Sequence, residues 1–277
     1  MRLLTLRSIL VATDLSETSR PALRTAARLA PLAGASLHVL HVAESQRADN
    51  ETRLVEHFRE AAPDSPDPSS VRVMVGPAAL AIVEHAIESG ADAIILGAHR
   101  RETPGGPPGS TARSVVRTAS CPCLVAAREL RLPLEHVLAP IDVSDIAGGA
   151  LSLALSWASA LRVPGQKADL VALHVTTGPD SDAAREAVRE HVSRGRQRAP
   201  DAAQVEIRER IVHDQDPARG ILREAAASAA DLLVMATRTR DHESQELGSV
   251  SAAVVRETPC PLLLVPPAVW QRGGVLV

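Results

Sequence analysis

Ser8-Ile9-Leu10-Val11-Ala12-Thr13-Asp14-Leu15-Ser16 has a counterpart 128 positions later, His136-Val137-Leu138-Ala139-Pro140-Ile141-Asp142-Val143-Ser144. In both stretches a run of apolar residues ends in an Asp-x-Ser triplet. Four more segments recur in the same order: Leu40–Val42 as Leu173–Val175, Ala91–Leu96 as Ala230–Met235, Gly109-Ser110 as Gly248-Ser249, and Cys121–Val125 as Cys260–Leu264. Five matched pairs in one order indicate a single structural unit that has been duplicated along the chain.

The spacing between matched segments locates the two copies. The offset grows from 128 to 133 and then to 139 positions, which indicates small loop insertions such as residues 163–167. The last strand pattern of the first copy ends just before residues 128–133. We therefore predict two domains, 1–130 and 131–277, each of ordinary domain size.

The first copy alternates strand patterns with helix patterns. The continuous apolar run 8–13 is typical of a strand that is covered on both faces. Thr18 or Ser19, followed by Pro21, is typical of a helix start, and Gly34 of a helix end. Further strands are predicted over 36–42, 71–75, 93–97 and 123–126, and further helices over 50–61, 78–88 and 111–118, the last capped by Ser110.

Five strands that alternate with four helices predict an α/β fold. The chain should form two tandem doubly wound domains, each with a five-stranded parallel sheet and helices on both faces. In such sheets a ligand binds beyond the carboxyl ends of the strands, where the winding direction reverses.

Composition argues against nucleic acid and membranes as partners. The net charge is −3, so no positive field attracts polyanions. Phe58, Trp157 and Trp270 are the only aromatic residues, which leaves few rings on which bases could stack. The N-terminal segment is too charged for a signal peptide, and no apolar run approaches the roughly 18 residues of a membrane span. The three cysteines favour a reducing compartment, and we expect a cytoplasmic protein.

Three conspicuous features have ordinary structural explanations. Cys121-Pro-Cys123 has the wrong spacing for a common zinc site, and we expect these thiols to be buried. The charged segment Arg185–Arg198 mixes both signs at helical spacing, as a solvated helix face does. His41 and His174 occupy matching strand ends, where a hydrogen-bonded histidine is commoner than a metal ligand or a catalytic one.

The repeated segments resemble the universal stress protein family, and the resemblance covers almost the whole chain twice. It rests on Thr13–Thr18 after the first strand, Leu40-His41-Val42, Gly97 followed by Gly109-Ser110, and Cys121-Pro122. The resemblance implies a strand order of 3-2-1-4-5 in each copy. Strands one and four would then be neighbours, and Asp14 and Gly97 would flank one crevice.

The resemblance also implies an adenine nucleotide, namely ATP with Mg²⁺. ATP-binding family members carry Gly-x-x-Gly, nine residues, and then Gly-Ser or Gly-Thr. Glycine lets phosphates approach the backbone, and the free N–H groups at a helix start favour an anion. By resemblance, the aspartate after strand one would hold the ribose and the main chain after strand two the adenine. The implied binding residues are Asp14, Val42, Leu96, Gly97, Arg100, Gly109, Ser110 and Thr111 in the first copy, and Asp142, Val175, Gly248, Ser249 and Val250 in the second.

Both copies depart from this glycine pattern. Arg100 stands where the second glycine belongs in the first copy, and the spacing from it to Gly109 is eight residues. In the second copy, Ala236 and Thr239 replace both glycines, although Asp142 and Gly248-Ser249 remain. ATP is therefore expected in the first domain, with the second largely a structural partner.

Three functions are compatible with the sequence. The first is a tandem stress-response binding or regulatory protein that binds ATP. The second is an interaction module that has lost the nucleotide. The third is a slow ATP hydrolase, for which Asp14 and His99 are the candidate catalytic groups. By resemblance, strands 123–126 and 262–265 would pair antiparallel within the chain, and two chains would form a homodimer.

Overall fold

A computed structural model describes residues 6–45, 47–97, 110–143, 149–179, 181–237, 247–266 and 268–269. The chain forms two compact units, and the division falls between Leu130 and Arg131. We refer to the N-terminal part as unit 1 and to the C-terminal part as unit 2.

Unit 1 alternates strands and helices as the sequence predicts. Its strands form a parallel sheet in the order β3-β2-β1-β4-β5, so β1 lies between β2 and β4. The elements are β1 (Ser8–Thr13), α1 (Arg20–Ala33), β2 (Ser36–Ala43), α2 (Asn50–Ala61), β3 (Ser70–Val75), α3 (Ala78–Glu88), β4 (Ala93–Gly97), α4 (Ser110–Thr118) and β5 (Cys123–Ala126).

Unit 2 repeats this topology. Its parallel sheet has the order β8-β7-β6-β9-β10, which in the numbering of one copy is again 3-2-1-4-5. The elements are β6 (His136–Pro140), α5 (Gly149–Leu161), β7 (Ala168–Thr176), α6 (Asp182–Arg198), β8 (Val205–His213), α7 (Pro217–Ala227), β9 (Leu232–Ala236), α8 (Ser249–Glu257) and β10 (Leu262–Val265). The prediction of two doubly wound α/β halves is confirmed.

The core of each unit lies on both faces of its central strands. All six residues of β1 are buried, and Ile94 and Ile95 of β4 are fully buried beside them. Helix α1 presents Leu23, Ala26 and Leu29 to this sheet, all without exposed surface. Each large side chain buried in this way contributes about 1.5–3 kcal/mol, so the central strands are the most firmly held part of the unit.

Two repeated aspartates fix where the first strand of each unit begins. Asp92 Oδ2 accepts hydrogen bonds from the backbone N–H groups of Arg7 (2.7 Å) and Ser8 (3.0 Å). In unit 2, Asp231 Oδ2 accepts from the N–H groups of Glu135 and His136, both at 3.0 Å. The Ala-Asp repeat found in the sequence is therefore a structural clamp at the amino ends of the strands.

The helix starts differ from the predictions in detail. Ser19 occupies the cap position of α1, but its hydroxyl donates to the Ser16 carbonyl oxygen at 2.7 Å and does not cap the helix. Ser110 is the first residue of α4 rather than its cap. Gly34 ends α1 with a left-handed φ of 65°, as predicted, because glycine adopts this conformation without steric cost.

Candidate functional site

The crevice of unit 1 opens where β1 and β4 end side by side. Ala12 of β1 pairs in register with Leu96 of β4, so the segments that follow the two strands leave the sheet at the same edge. A cleft of about 180 Å³ lies there. It is lined by five of the residues predicted from the sequence, namely Asp14, Val42, Leu96, Gly97 and Thr111.

One described residue that was predicted for unit 1, Ser110, is not among the residues that line this cleft. Ser110 is the exposed first residue of α4, next to Thr111 in the sequence. Arg100 and Gly109 lie outside the described residues, as does His99, so their predicted roles stay predictions.

The turn that carries Asp14 is held by its own side chain. Asp14 Oδ1 accepts hydrogen bonds from the Ser16 N–H at 3.0 Å and from the Ser16 hydroxyl at 2.6 Å. Leu15, between them, has a left-handed φ of 63°. An aspartate that bonds its own backbone two residues on is a common turn former. Asp14 is thus a turn residue and also a carboxylate on the wall of the cleft.

Gly97 packs closely against the turn after β1, which leaves little room for a side chain at this position. A Cβ atom at this position would lie 3.0 Å from Ser19 Cα and 3.4 Å from the Thr18 carbonyl oxygen. A contact of 3.0 Å is tighter than most Cβ atoms make, so a side chain here would require the Ser19 backbone to shift by a few tenths of an ångström. The glycine that sequence analysis assigned to phosphate contact therefore also lets the turn after β1 lie directly against the end of β4.

A series of hydrogen-bonded polar side chains begins at the wall of the unit 1 cleft. Thr13 Oγ1 is 2.7 Å from Ser19 Oγ, which lies 3.4 Å from His57 Nε2 on α2. Burial, and secondarily the Arg20 guanidinium, lowers the pKa of His57 below its usual value. His41 donates from Nδ1 to the Thr13 carbonyl oxygen at 2.9 Å, so this strand-end histidine has a backbone partner.

Unit 2 contains a larger cavity at the matching edge of its sheet. Its volume is about 750 Å³. The residues predicted for the second copy all line it, namely Asp142, Val175, Gly248, Ser249 and Val250. Sequence analysis expected the nucleotide in the first copy, whereas the second copy provides more room.

A repeated histidine escaped the sequence analysis. His57 of α2 and His191 of α6 are buried at matching positions of the second helix, and His191 lines the unit 2 cavity. The pattern that could have revealed them is Leu54-x-x-His57-Phe58 against Val188-x-x-His191-Val192, 134 positions later. Residues 50–61 were predicted only as a helix and Arg185–Arg198 as a solvated helix face, so neither histidine was expected to be buried.

An arginine-bound carboxylate fixes the start of α7, which supplies Pro217 and Ile221 to the unit 2 cavity. Asp214 accepts hydrogen bonds from Arg219 Nη2 at 2.6 Å and from Arg223 Nη1 at 3.1 Å. The bonds from Arg219, and then one from the Asp216 backbone N–H, lower the pKa of Asp214 to about 2. This carboxylate is therefore ionised at any physiological pH.

The described residues offer no evident metal or redox centre. Within them, no group of three or more His, Cys, Asp or Glu side chains is arranged to hold a metal ion. Cys121, Cys123 and Cys260 are buried free thiols, as expected, and burial raises the pKa of Cys121 to about 12. None of the helices in the described ranges is long and apolar enough to cross a membrane.

The fold and the cavity in each unit define a class of protein: a duplicated, doubly wound α/β protein with a strand-end crevice in each half. The model of the universal stress protein family matches residues 5–127 and 133–266. The chain therefore belongs to the universal stress protein family, as a tandem member. No protein with a curated description matches it significantly.

Solved structures of similar length share this fold. A universal stress protein from Archaeoglobus fulgidus DSM 4304 has a TM-score of 0.69 and 19% identity, with 95% of this chain and 99% of that chain covered. A protein of unknown function from Pseudomonas aeruginosa PAO1 has a TM-score of 0.66 and 20% identity, with 97% and 95% covered. A shorter A. fulgidus universal stress protein in complex with dAMP has 24% identity over 44% of this chain and 98% of its own, with a TM-score of 0.34.

Proposed function

We propose that this tandem universal stress protein is a stress-response binding protein that binds an adenine nucleotide at the strand-end crevices. One observation carries the proposal. In each unit a single cavity brings together the aspartate after the first strand, the valine near the end of the second, and the first turn of the fourth helix. These are the positions that the family resemblance assigns to ribose, adenine and phosphate.

The chemistry of each group suits its part of the nucleotide. The carboxylates of Asp14 and Asp142 would accept hydrogen bonds from ribose hydroxyls, which are charge-assisted and therefore strong. The amino-terminal turn of α8, at Gly248-Ser249, offers backbone N–H groups to a phosphate. Apolar side chains such as Ile221 and Met235 would cover the base.

Cavity size favours unit 2 as the site of a whole nucleotide. Pockets for small organic ligands usually measure about 300–1,000 Å³. The 750 Å³ cavity of unit 2 lies within that range, whereas the 180 Å³ cleft of unit 1 lies below it. We therefore extend the proposal from the first copy, where sequence analysis expected ATP, to the second.

Isothermal titration with AMP, dAMP and Mg²⁺-ATP tests the proposal on the full chain. Removing a charge-assisted hydrogen bond costs about 1.5–3 kcal/mol, so Asp142→Ala should raise Kd at least about tenfold if unit 2 binds. Asp14→Ala makes the same test of unit 1. Asp67→Ala, which changes an exposed carboxylate 3.7 Å from Arg59, is the matched control and should leave Kd unchanged. Binding that neither crevice variant weakens would refute the proposal.

The replaced glycines favour a second candidate, an interaction module without a nucleotide. Arg100, Ala236 and Thr239 stand where ATP-binding relatives carry glycine. On this hypothesis no adenine nucleotide binds even at millimolar concentration. If Mg²⁺-ATP does bind, phosphate release above the rate without protein would indicate the slow hydrolase instead. We also propose a cytoplasmic location, since buried free thiols and adenine nucleotides fit a reducing interior.

A further inference from the structure

The outer strand of unit 1 has the character of a pairing surface. Strand β3 ends the sheet of unit 1, and every one of its six residues is at least partly exposed, whereas every residue of β1 is buried. A strand at the edge of a sheet presents unpaired backbone N–H and C=O groups that can bind another strand. Arg72 is the one charged residue of β3, and its guanidinium lies 3.3 Å from Glu88.

Exposed apolar side chains occur on β3 and on α3, the helix that follows it. Among the described residues four large apolar side chains are exposed, and three of them belong to β3 and α3: Val75 (48%), Leu80 (55%) and Ile87 (65%). Leu80, Val83 and Ile87 follow helical spacing and form one stripe along α3. An exposed apolar stripe along one helix face is a feature of interaction sites in soluble proteins.

Unit 2 provides an internal comparison, because charged side chains protect its outer strand, β8, from pairing with another strand. Strand β8 carries the four charges Glu206, Arg208, Glu209 and Arg210. Charged side chains on an edge strand oppose pairing with another chain. On α7 the position that matches Leu80 is Arg219, which is bound to Asp214. The two copies thus share a fold but differ at this edge.

We propose that two copies of this chain associate through antiparallel pairing of β3 with β3 across a twofold axis. A register centred on Val73 places Val71 opposite Val75 and Arg72 opposite Met74, so no like charges meet. Apolar cross-strand pairs of this kind stabilise a sheet. A twofold contact of this type closes the assembly at a dimer.

Sedimentation of the full chain and of two matched variants tests the proposal. The wild type should sediment with twice the mass of one chain. Val73→Lys should sediment as a monomer, because the twofold axis would bring two ammonium groups together. Ile211→Lys, at the matching position of β8, should remain a dimer. A monomeric wild type, or a dimer that survives Val73→Lys, would overturn the proposal.

A cross-linking variant avoids any effect of lysine on folding. Directly opposed residues of antiparallel strands have Cα atoms about 4.5–5.5 Å apart, within the range of a disulfide. Val73→Cys should therefore form an intermolecular disulfide on mild oxidation, whereas Ile211→Cys should not. The native cysteines are buried and should not interfere. Equal cross-linking of both variants, or of neither, would contradict pairing through β3.

Discussion

Aspartate recurs at two positions in each copy, and the two pairs have different environments. Asp92 and Asp231 bind backbone N–H groups at the amino ends of the sheets. Asp14 and Asp142 line cavities at the carboxyl ends. A repeat of residue type therefore indicates a shared structural position, and only the environment of that position separates a backbone clamp from a carboxylate that lines a cavity.

The clamp predicts a loss of stability when it is removed. Asp92→Ala should lower the free energy of unfolding by about 2 kcal/mol, because two backbone N–H groups lose their acceptor. Urea denaturation followed by circular dichroism measures this change. Asp231→Ala should act similarly in unit 2, whereas the exposed control Asp67→Ala should change stability by less than about 0.5 kcal/mol. A clamp variant as stable as the control would show that water replaces the carboxylate.

Sequence reasoning found the site residues that are adjacent to repeated apolar runs and missed those that depend on helix packing. Asp14, Val42 and Gly97 directly end or follow strands, where the topology brings them together. His57 reaches Ser19 only because α2 packs beside α1, 38 positions along the chain. The apolar neighbours of His57 at helical spacing indicate a buried face of α2, but they do not specify which residue of another element the histidine contacts.

At the scale of elements, the residues that follow two matching helices, α3 and α7, share one backbone conformation but differ in residue type. Gly90 follows α3 with φ 58°, and Ala229 follows α7 with φ 47°. Both values are left-handed, a conformation that costs a residue with a Cβ atom roughly 1–2 kcal/mol. Unit 2 therefore contains a strained residue at a position where unit 1 has glycine.

Exchanging these two residues should change stability in opposite directions. Ala229→Gly should raise the free energy of unfolding by about 0.5–1 kcal/mol, because relief of the strain exceeds the added freedom of the unfolded chain. Gly90→Ala should lower it by about 1 kcal/mol through the backbone alone, since no atom lies within 4 Å of the added Cβ. Thermal and urea unfolding of both variants measure these shifts. If Ala229→Gly destabilises, the left-handed strain is not the dominant effect.

The positions of the elements were predictable because the apolar runs and the glycine and proline positions indicate the same boundaries. Continuous apolar runs define the central strands, and Gly34 and Pro21 mark the ends of the first helix. The predicted strands 8–13, 93–97 and 123–126 match the structure, and others differ by one residue. The error at Ser110 arises because a serine can either cap a helix or begin it, and sequence alone does not distinguish the two.

At the scale of the whole molecule, the copies have kept one topology and the buried histidines His57 and His191, but they differ where unit 1 has His38 and His85. Unit 1 packs His38 against His85, with ring centroids 6.5 Å apart. At the matching positions unit 2 has Val171 and Glu224, and Glu224 forms an ion pair with Arg210 at 2.8 Å. Unit 2 therefore has an ion pair between strand and helix where unit 1 has two imidazole rings.

Lowering the pH should therefore reduce the folding stability of unit 1. Burial, and secondarily His85, lowers the pKa of His38 from 6.5, and burial also lowers that of His57. Because the folded-state pKa lies below the unfolded value, the stabilisation is complete above pH 6.5 and is lost as pH falls towards the folded pKa. His38 also faces Ser70, and His85 faces Glu88, which is paired with Arg72.

Urea unfolding at about pH 7.5 and about pH 5.5 checks this effect. The wild-type midpoint should fall on acidification. The urea midpoint of His38→Val, which places the valine found in unit 2 at this position, should fall less, because one of the titrating groups is gone. An equal fall in both proteins would assign the acid response to other groups.

The contact between Gly97 and Ser19 has a consequence for how these crevices diverge. The end of β4 at Gly97 lies so close to Thr18 and Ser19 that one added methyl group would require the Ser19 backbone to shift by a few tenths of an ångström. The second copy carries that methyl as Ala236. Duplication thus allows one half to repack the junction between its first and fourth strands while the other half keeps its glycine.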